Sequence, residues 1–218
     1  MHKQIQEIRR KLYLLRDGAS SASMREKGVD YKLNFGVPGG KLKELASEYA
    51  PDPELTEQLW QENTRELKLL ALMIQEPSEF KNADNWVQSI NNVELAEQSA
   101  LHLFSKIPEA SSKAAQWIQS NNLYTRITGF RVYMRLFMSS YSLEGEAYDR
   151  YFRALFEALN NDSALLRSAA LNSLKHFGKQ SLLRAKNVLA ECKETERLPE
   201  EVKSRLIQNL EFEFDYYA

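Results

Sequence analysis

The sequence predicts an all-α protein built from stacked helix pairs, and three observations carry that prediction. Apolar residues recur at three- and four-residue spacing along nearly the whole chain, which lines one face of an α-helix. No stretch alternates apolar and polar residues between turn pairs, so no sheet is expected. An arginine-led pattern returns after 41 residues, from Arg126 to Arg167, which is the length of a helix pair.

The elements follow in order. Ile5, Ile8, Leu12 and Leu15 give a first helix over about Lys3–Arg16, stopped by Asp17-Gly18. Ser20 to Lys32 is a short polar segment of one or two helical turns. Phe35-Gly36-Val37-Pro38-Gly39-Gly40 is the Gly/Pro cluster and reads as a loop. Leu42, Leu45 and Ala46 mark the next helix, which Pro51 and Pro53 break. Helices around 54–62 and 65–76 come next, the second apolar enough to be central, and Pro77 ends it. Asn82 or Asp84 caps a short helix through Trp86 and Ile90, with Asp84 the expected cap. Further helices are expected over 95–107, 114–118, 123–138, 148–159, 165–177, 182–190 and 202–214.

Composition bounds the function. At 218 residues, with 43% hydrophobic and 27% charged residues, the chain has an ordinary globular composition and needs no disulfide or metal to fold. The longest apolar run, Leu69 to Ile74, is too short for a membrane span. The opening MHKQIQEIRRKLYLLRD lacks an apolar core segment and does not read as a secretory signal. Cys192 stands alone and the three histidines are scattered, so neither a thiolate zinc site nor any cofactor is expected, and a reduced, cytoplasmic setting is. Net charge is −1, yet residues 1–50 carry 10 basic and 6 acidic side chains, and residues 51–100 carry 3 and 10. Residues 101–200 carry 14 basic and 10 acidic side chains. One basic face on a neutral molecule, or a plain spread of solvated charges, fits these counts.

The repeat bears on architecture. Arg65, Arg126 and Arg167 each open a helix whose next turns are small and apolar. A small residue there lets neighbouring helices approach closely, and the spacing is near that of HEAT-type repeats. About six such pairs would form an α–α superhelix with one concave surface, in a single domain over 1–218. A plain helical bundle is the other arrangement these helices allow.

No P-loop, dinucleotide fingerprint, zincin or nucleophile-elbow motif is present. The Gly36–Gly40 loop lacks the Lys-Ser/Thr ending of a phosphate loop, but its N–H groups, beside Lys41 and Lys43, could hold one phosphate of a polymer. In the segment from Met24 to Pro38 a short polar helix leads into the Phe-Gly-Val loop and a basic helix. Leu59-Trp60, Arg65-Glu66-Leu67, the Trp86 helix and the helices led by Arg126 and Arg167 follow in order. With these residues the chain resembles the DNA alkylation repair family of HEAT-like-repeat DNA glycosylases, the AlkD-like proteins, over roughly residues 5 to 210.

The resemblance implies backbone binding of duplex DNA and excision of cationic N3- or N7-alkylated purines. A carboxylate would stabilise the developing sugar cation, tryptophan faces would flank the lesion, and an arginine would hold the adjacent phosphate. Here the first aromatic falls on Trp86, but the carboxylate position falls on Asn91, the arginine position on Ile127 beside Arg126, and a second tryptophan on Asn172. Trp86 could equally be core, and Trp60 and Trp117 read as core. The expected function is therefore DNA binding with excision in question; a protein-binding scaffold and a glycosylase with a rewired cleft are the rivals. Lys41, Lys43, Arg126, Arg131, Arg167, Lys175 and Lys179 are the expected phosphate contacts. The acidic aromatic tail, Glu211 to Tyr217, is expected to cap the last pair or to bind a partner.

Overall fold

The computed structural model describes residues 3–29 and 31–215; His2, Asp30, Tyr216 and Tyr217 lie outside the described residues. It contains thirteen α-helices among them: α1 Lys3–Leu14, α2 Gly18–Glu26, α3 Gly39–Ala46, α4 Pro53–Gln61, α5 Arg65–Ile74, α6 Ala83–Gln88, α7 Val93–Ser99, α8 Ala110–Trp117, α9 Leu123–Met138, α10 Gly145–Leu159, α11 Ala164–Gly178, α12 Leu182–Glu194 and α13 Glu200–Asp215. A π-helical segment, Ala100–Phe104, continues α7. The nearest approach to a strand among the described residues is one isolated bridge, Leu33 to Thr64. Contacts divide the chain into two compact units, Met1–Pro108 and Glu109–Ala218.

Local chemistry explains most boundaries. Asp17 follows the end of α1 at Leu14 and starts α2: its Oδ1 accepts from the N–H groups of Ala19 and Ser20 at 3.0 and 3.1 Å. The polar 20–32 segment thus begins with a capped helix of nine residues. Asp52, Asn92, Asn122, Ser163 and Ser181 cap α4, α7, α9, α11 and α12 in the same way. The expectation that Asp84 caps α6 is corrected. Asn82 holds the cap position, and Asp84 lies in the first turn.

In the first unit, α3 and α7 both pack on α5, with α4 behind it, and α1 packs on α4. Eight of the ten residues of α5 are buried, as its apolar sequence predicts. Trp60 of α4 and Trp86 of α6 stack at 4.3 Å between centroids with planes 2° apart. The chain before α3 is drawn in tightly. Gly36 has φ +72°, and a Cβ there would lie 2.1 Å from the Asp17 carbonyl oxygen, so only glycine fits.

In the second unit, α9, α11 and α13 pack in succession, α8 lies on α9 and α10, α10 on α11, and α12 on α11 and α13, with α9 against α11 the most extensive contact. Gly129 supplies the close approach the repeat predicts: a Cβ there would meet the Ile118 backbone nitrogen at 2.8 Å. Tyr133, Phe137, Tyr151, Phe152 and Phe177 knit α9, α10 and α11 together. The Tyr151 hydroxyl, wholly buried, shares a 2.7 Å hydrogen bond with Ser173.

Candidate nucleic-acid interface

The arginines that lead the repeated helices each donate to backbone carbonyls, although Arg65 is buried, Arg126 half-buried and Arg167 exposed. Arg126 Nε donates to the Ile118 carbonyl at 3.2 Å, and Arg167 Nη1 donates to the carbonyls of Asn161 and Asp162 at 2.6 and 2.8 Å. Each acceptor lies at the end of the preceding helix, where carbonyls lack helical partners. Arg65 repeats the theme, donating to the Val37 carbonyl at 3.1 Å. Its guanidinium is also gripped by Glu94, with contacts of 2.6 to 3.0 Å, and by Glu66 at 2.9 Å. The sequence echo is thus an internal staple that ties each of these helices to the chain before it.

The Gly36 loop already holds an anion, and it is internal. Glu66, fully buried, accepts from the N–H groups of Phe35 and Val37 at 3.0 and 3.2 Å, while Gly36 N–H donates to Asn34 at 2.8 Å. These three loop N–H groups are therefore engaged. Lys41 is exposed and paired with Glu44 at 2.8 Å. Lys43, also exposed, faces a cavity described below.

Trp86 is 1% exposed. One face lies on Trp60, the edge of Phe80 meets it at 4.7 Å, and its Nε1–H donates to Glu57 at 2.8 Å. Burial pushes the Glu57 carboxyl upward, but donors on Trp86, Gln61 and Asn82 outweigh it and leave it below its ordinary value. Asn91 lies exposed in the turn before α7, its Oδ1 accepting from Asn92 Nδ2 at 3.0 Å. Ile127 is fully buried and Asn172 half-buried. Trp86 and Asn91 belong to the first unit; Arg126, Ile127 and Asn172 belong to the second.

Three of the expected phosphate contacts come together on adjacent helices. Arg131 lies on α9, one turn before Arg135, while Lys175 and His176 lie in the last turn of α11 and Lys179 holds its C-cap position. The Arg131 and Arg135 guanidiniums lie 3.9 Å from the sulfurs of Met134 and Met138. Burial holds His176 below its ordinary pKa, and the nearby Lys179 and Arg135 charges push it the same way. Arg135, His176 and Lys179 therefore lie close together where α9 packs on α11, with Lys175 joined to Lys179 through Glu213 and Arg131 one turn back on α9. Sequence reasoning missed Arg135 and His176, although Arg135 stands four residues after Arg131 and so shares its helix face. The acidic tail meets this seam. Glu213 of α13 bridges Lys175, at 2.8 Å, and Lys179, and those two donors hold its carboxyl below the usual range. Phe214 beside it is 7% exposed and packs on Gly178. For the described part of the tail, up to Asp215, capping of the last helix pairs is what the structure shows.

What is this chain similar to? A family model described as DNA alkylation repair enzyme matches residues 8–210. One solved structure, described as "a new family of proteins related to the HEAT-like repeat DNA glycosylases with affinity for branched DNA structures", aligns with a TM-score of 0.78. That alignment covers 97% of this chain and 94% of the other at 16% identity, which shows a shared fold. No curated protein matches. The expected all-α architecture is borne out, and α4 with α5, α8 with α9, α10 with α11 and α12 with α13 pack as successive helix pairs. No helix among the described residues is long and apolar enough to cross a membrane.

Proposed function

The chain belongs to the DNA alkylation repair enzyme family, and from that premise we propose that it binds duplex DNA, branched duplexes included, by its phosphate backbone without excising alkylated purines. The seam of α9 and α11 carries the proposal, because Arg131 and Arg135 stand one turn apart on α9 and Arg135 lies near His176 and Lys179 at the end of α11, where Glu213 bridges Lys175 and Lys179. Cations grouped this way contact phosphates regardless of sequence. The branched part of the proposal takes its cue from the affinity ascribed to the structural relative. Arg126 and Arg167 would act indirectly, by fixing the helices on carbonyl groups. Two features support the loss of excision. Asn91 offers a neutral amide where the family pattern puts a carboxylate, and Trp86 has one indole face covered by Trp60. A DNA partner and a lone, buried cysteine fit a cytoplasmic setting.

The test is fluorescence anisotropy with a linear duplex and a four-way junction over a range of salt, on the wild type and Arg131→Glu/Arg135→Glu. Losing two phosphate contacts should flatten the slope of log K against log salt by about 2, evenly across sequences. Binding that ignores both salt and the variant would overturn the proposal and favour a protein scaffold. In parallel, the wild type should release methylpurine from alkylated duplex no faster than buffer does. Robust release, lost in Asn91→Ala, would show an active cleft.

A further inference from the structure

The first unit holds a groove of about 380 Å³ at the C-terminal ends of α3 and α5 and beside the π-helical segment. Its walls carry Lys43 from α3, His102 from the π-helical segment and Lys106 from the turn after it. Its floor is apolar, from Met73, Ile74 and Pro77. The volume falls within the ordinary range of small-ligand sites, about 300–1,000 Å³. The wider π turn shifts the register of the side chains that follow, and such segments concentrate at functional sites.

The other polar groups at the groove are already occupied. Ser47 donates to the Glu44 carbonyl at 2.6 Å. Gln75 accepts from Thr56 and donates to the Glu76 carbonyl at 3.0 Å. The Glu76 carboxylate accepts from Ser78 at 3.0 Å, and His102 Nε2 lies 3.0 Å from Gln98 Oε1. Lys43 and Lys106 make no ion pair among the described residues. The groove therefore presents two ammonium groups and the Glu76 carboxylate beside an apolar lining, with the Tyr49 hydroxyl engaged by Lys11 and few groups able to read a base edge.

We propose that this groove is a subsite for one unpaired nucleotide of bound DNA. Lys43 and Lys106 take the phosphate, and the sugar and base lie on Met73, Ile74 and Pro77. The chemistry selects this occupant. Two cations need an anion, the floor needs an apolar flat body, and a base paired inside a duplex offers no free face. Engaged amides and hydroxyls make the subsite indifferent to base identity, as in other single-strand grooves. An unpaired nucleotide is what a gap or a junction supplies. The subsite rests on the DNA-binding reading and adds a preference to it.

The experiment compares a blunt duplex with the same duplex carrying a short single-stranded thymidine gap, by anisotropy at fixed salt. The proteins are the wild type, Met73→Glu and Lys43→Gln/Lys106→Gln, with helicity and melting temperature checked for each. The wild type should prefer the gapped probe, and Met73→Glu should cut that preference severalfold, because it sets a carboxylate on the apolar surface that the base needs. Lys43→Gln/Lys106→Gln should reduce the same preference while binding of the blunt duplex persists. An unchanged preference in Met73→Glu overturns the subsite. Equal losses on both probes in the lysine variant overturn it too, because they reduce the lysines to general phosphate contacts. A wild type that binds the blunt duplex through Arg131 and Arg135 but shows no gap preference sinks the subsite alone. A wild type that binds neither probe sinks the DNA reading with it.

Discussion

Glu66 offers a stringent test of how the first unit is held together. Its carboxylate is fully buried and accepts three hydrogen bonds, from Phe35 N, Val37 N and Arg65 Nη1, at 3.0, 3.2 and 2.9 Å. Every donor points inward, so an amide in its place fails even at equal size. The substitution Glu66→Gln would turn an NH₂ toward a donor, leave at least one buried N–H without an acceptor, and strip Arg65 of one of its two carboxylate partners. A buried N–H left unsatisfied costs about 1–3 kcal/mol. Breaking a buried charge pair costs about 3–5 kcal/mol, of which Arg65 recovers part because Glu94 still holds it. Glu66→Gln should therefore lose about 3 kcal/mol. At a urea slope of about 2 kcal/mol per molar, the midpoint falls by about 1.5 M. The assay is urea unfolding followed by tryptophan emission, since the Trp60–Trp86 stack reports the unit that contains Glu66. A loss below about 1 kcal/mol would refute the reasoning, because a typical single hydrogen bond accounts for that much. Such a result would mean that the loop before α3 is held by other contacts.

Three further predictions concern α13. Glu213→Gln should release Lys175 and Lys179, tighten DNA binding severalfold at low salt and steepen the salt slope by about 1 to 2, which anisotropy reads. The Glu213 carboxyl titrates below its ordinary 4.5 in the folded chain, so its bridge contributes in full above that value. It is lost as pH falls through the lower folded value; the wild type should therefore lose more of its melting temperature below about pH 4.5 than Glu213→Gln does. Gly178→Ala would put a Cβ 2.2 Å from the Phe214 ring, forcing the ring out at a cost of about 1–3 kcal/mol. Calorimetry should show the loss, and the smaller side chain of Phe214→Leu should recover much of it; no loss in Gly178→Ala would mean that α13 yields freely.

The sequence by itself determined the helices. The span Leu123–Met138 is read to the residue and Leu182 is read as a helix start, because periodicity, caps and Pro breaks act within a few residues. It also determined the core identity of Trp60 and Trp117 and the need for a small residue at Gly129. It marked the arginines that open the repeated helices, but it could not say where their guanidiniums go. Only the tertiary structure turned Arg126 and Arg167 onto backbone carbonyls, filled the Gly36 loop with Glu66, and set Glu213 on Lys175 and Lys179. The physical reason is the reach of each interaction. A helix closes hydrogen bonds four residues apart, whereas Glu94 lies 29 residues from Arg65 and Glu213 lies 38 from Lys175. A long charged side chain takes its partner from whatever the fold brings within about 4 Å, and no local pattern encodes that neighbour.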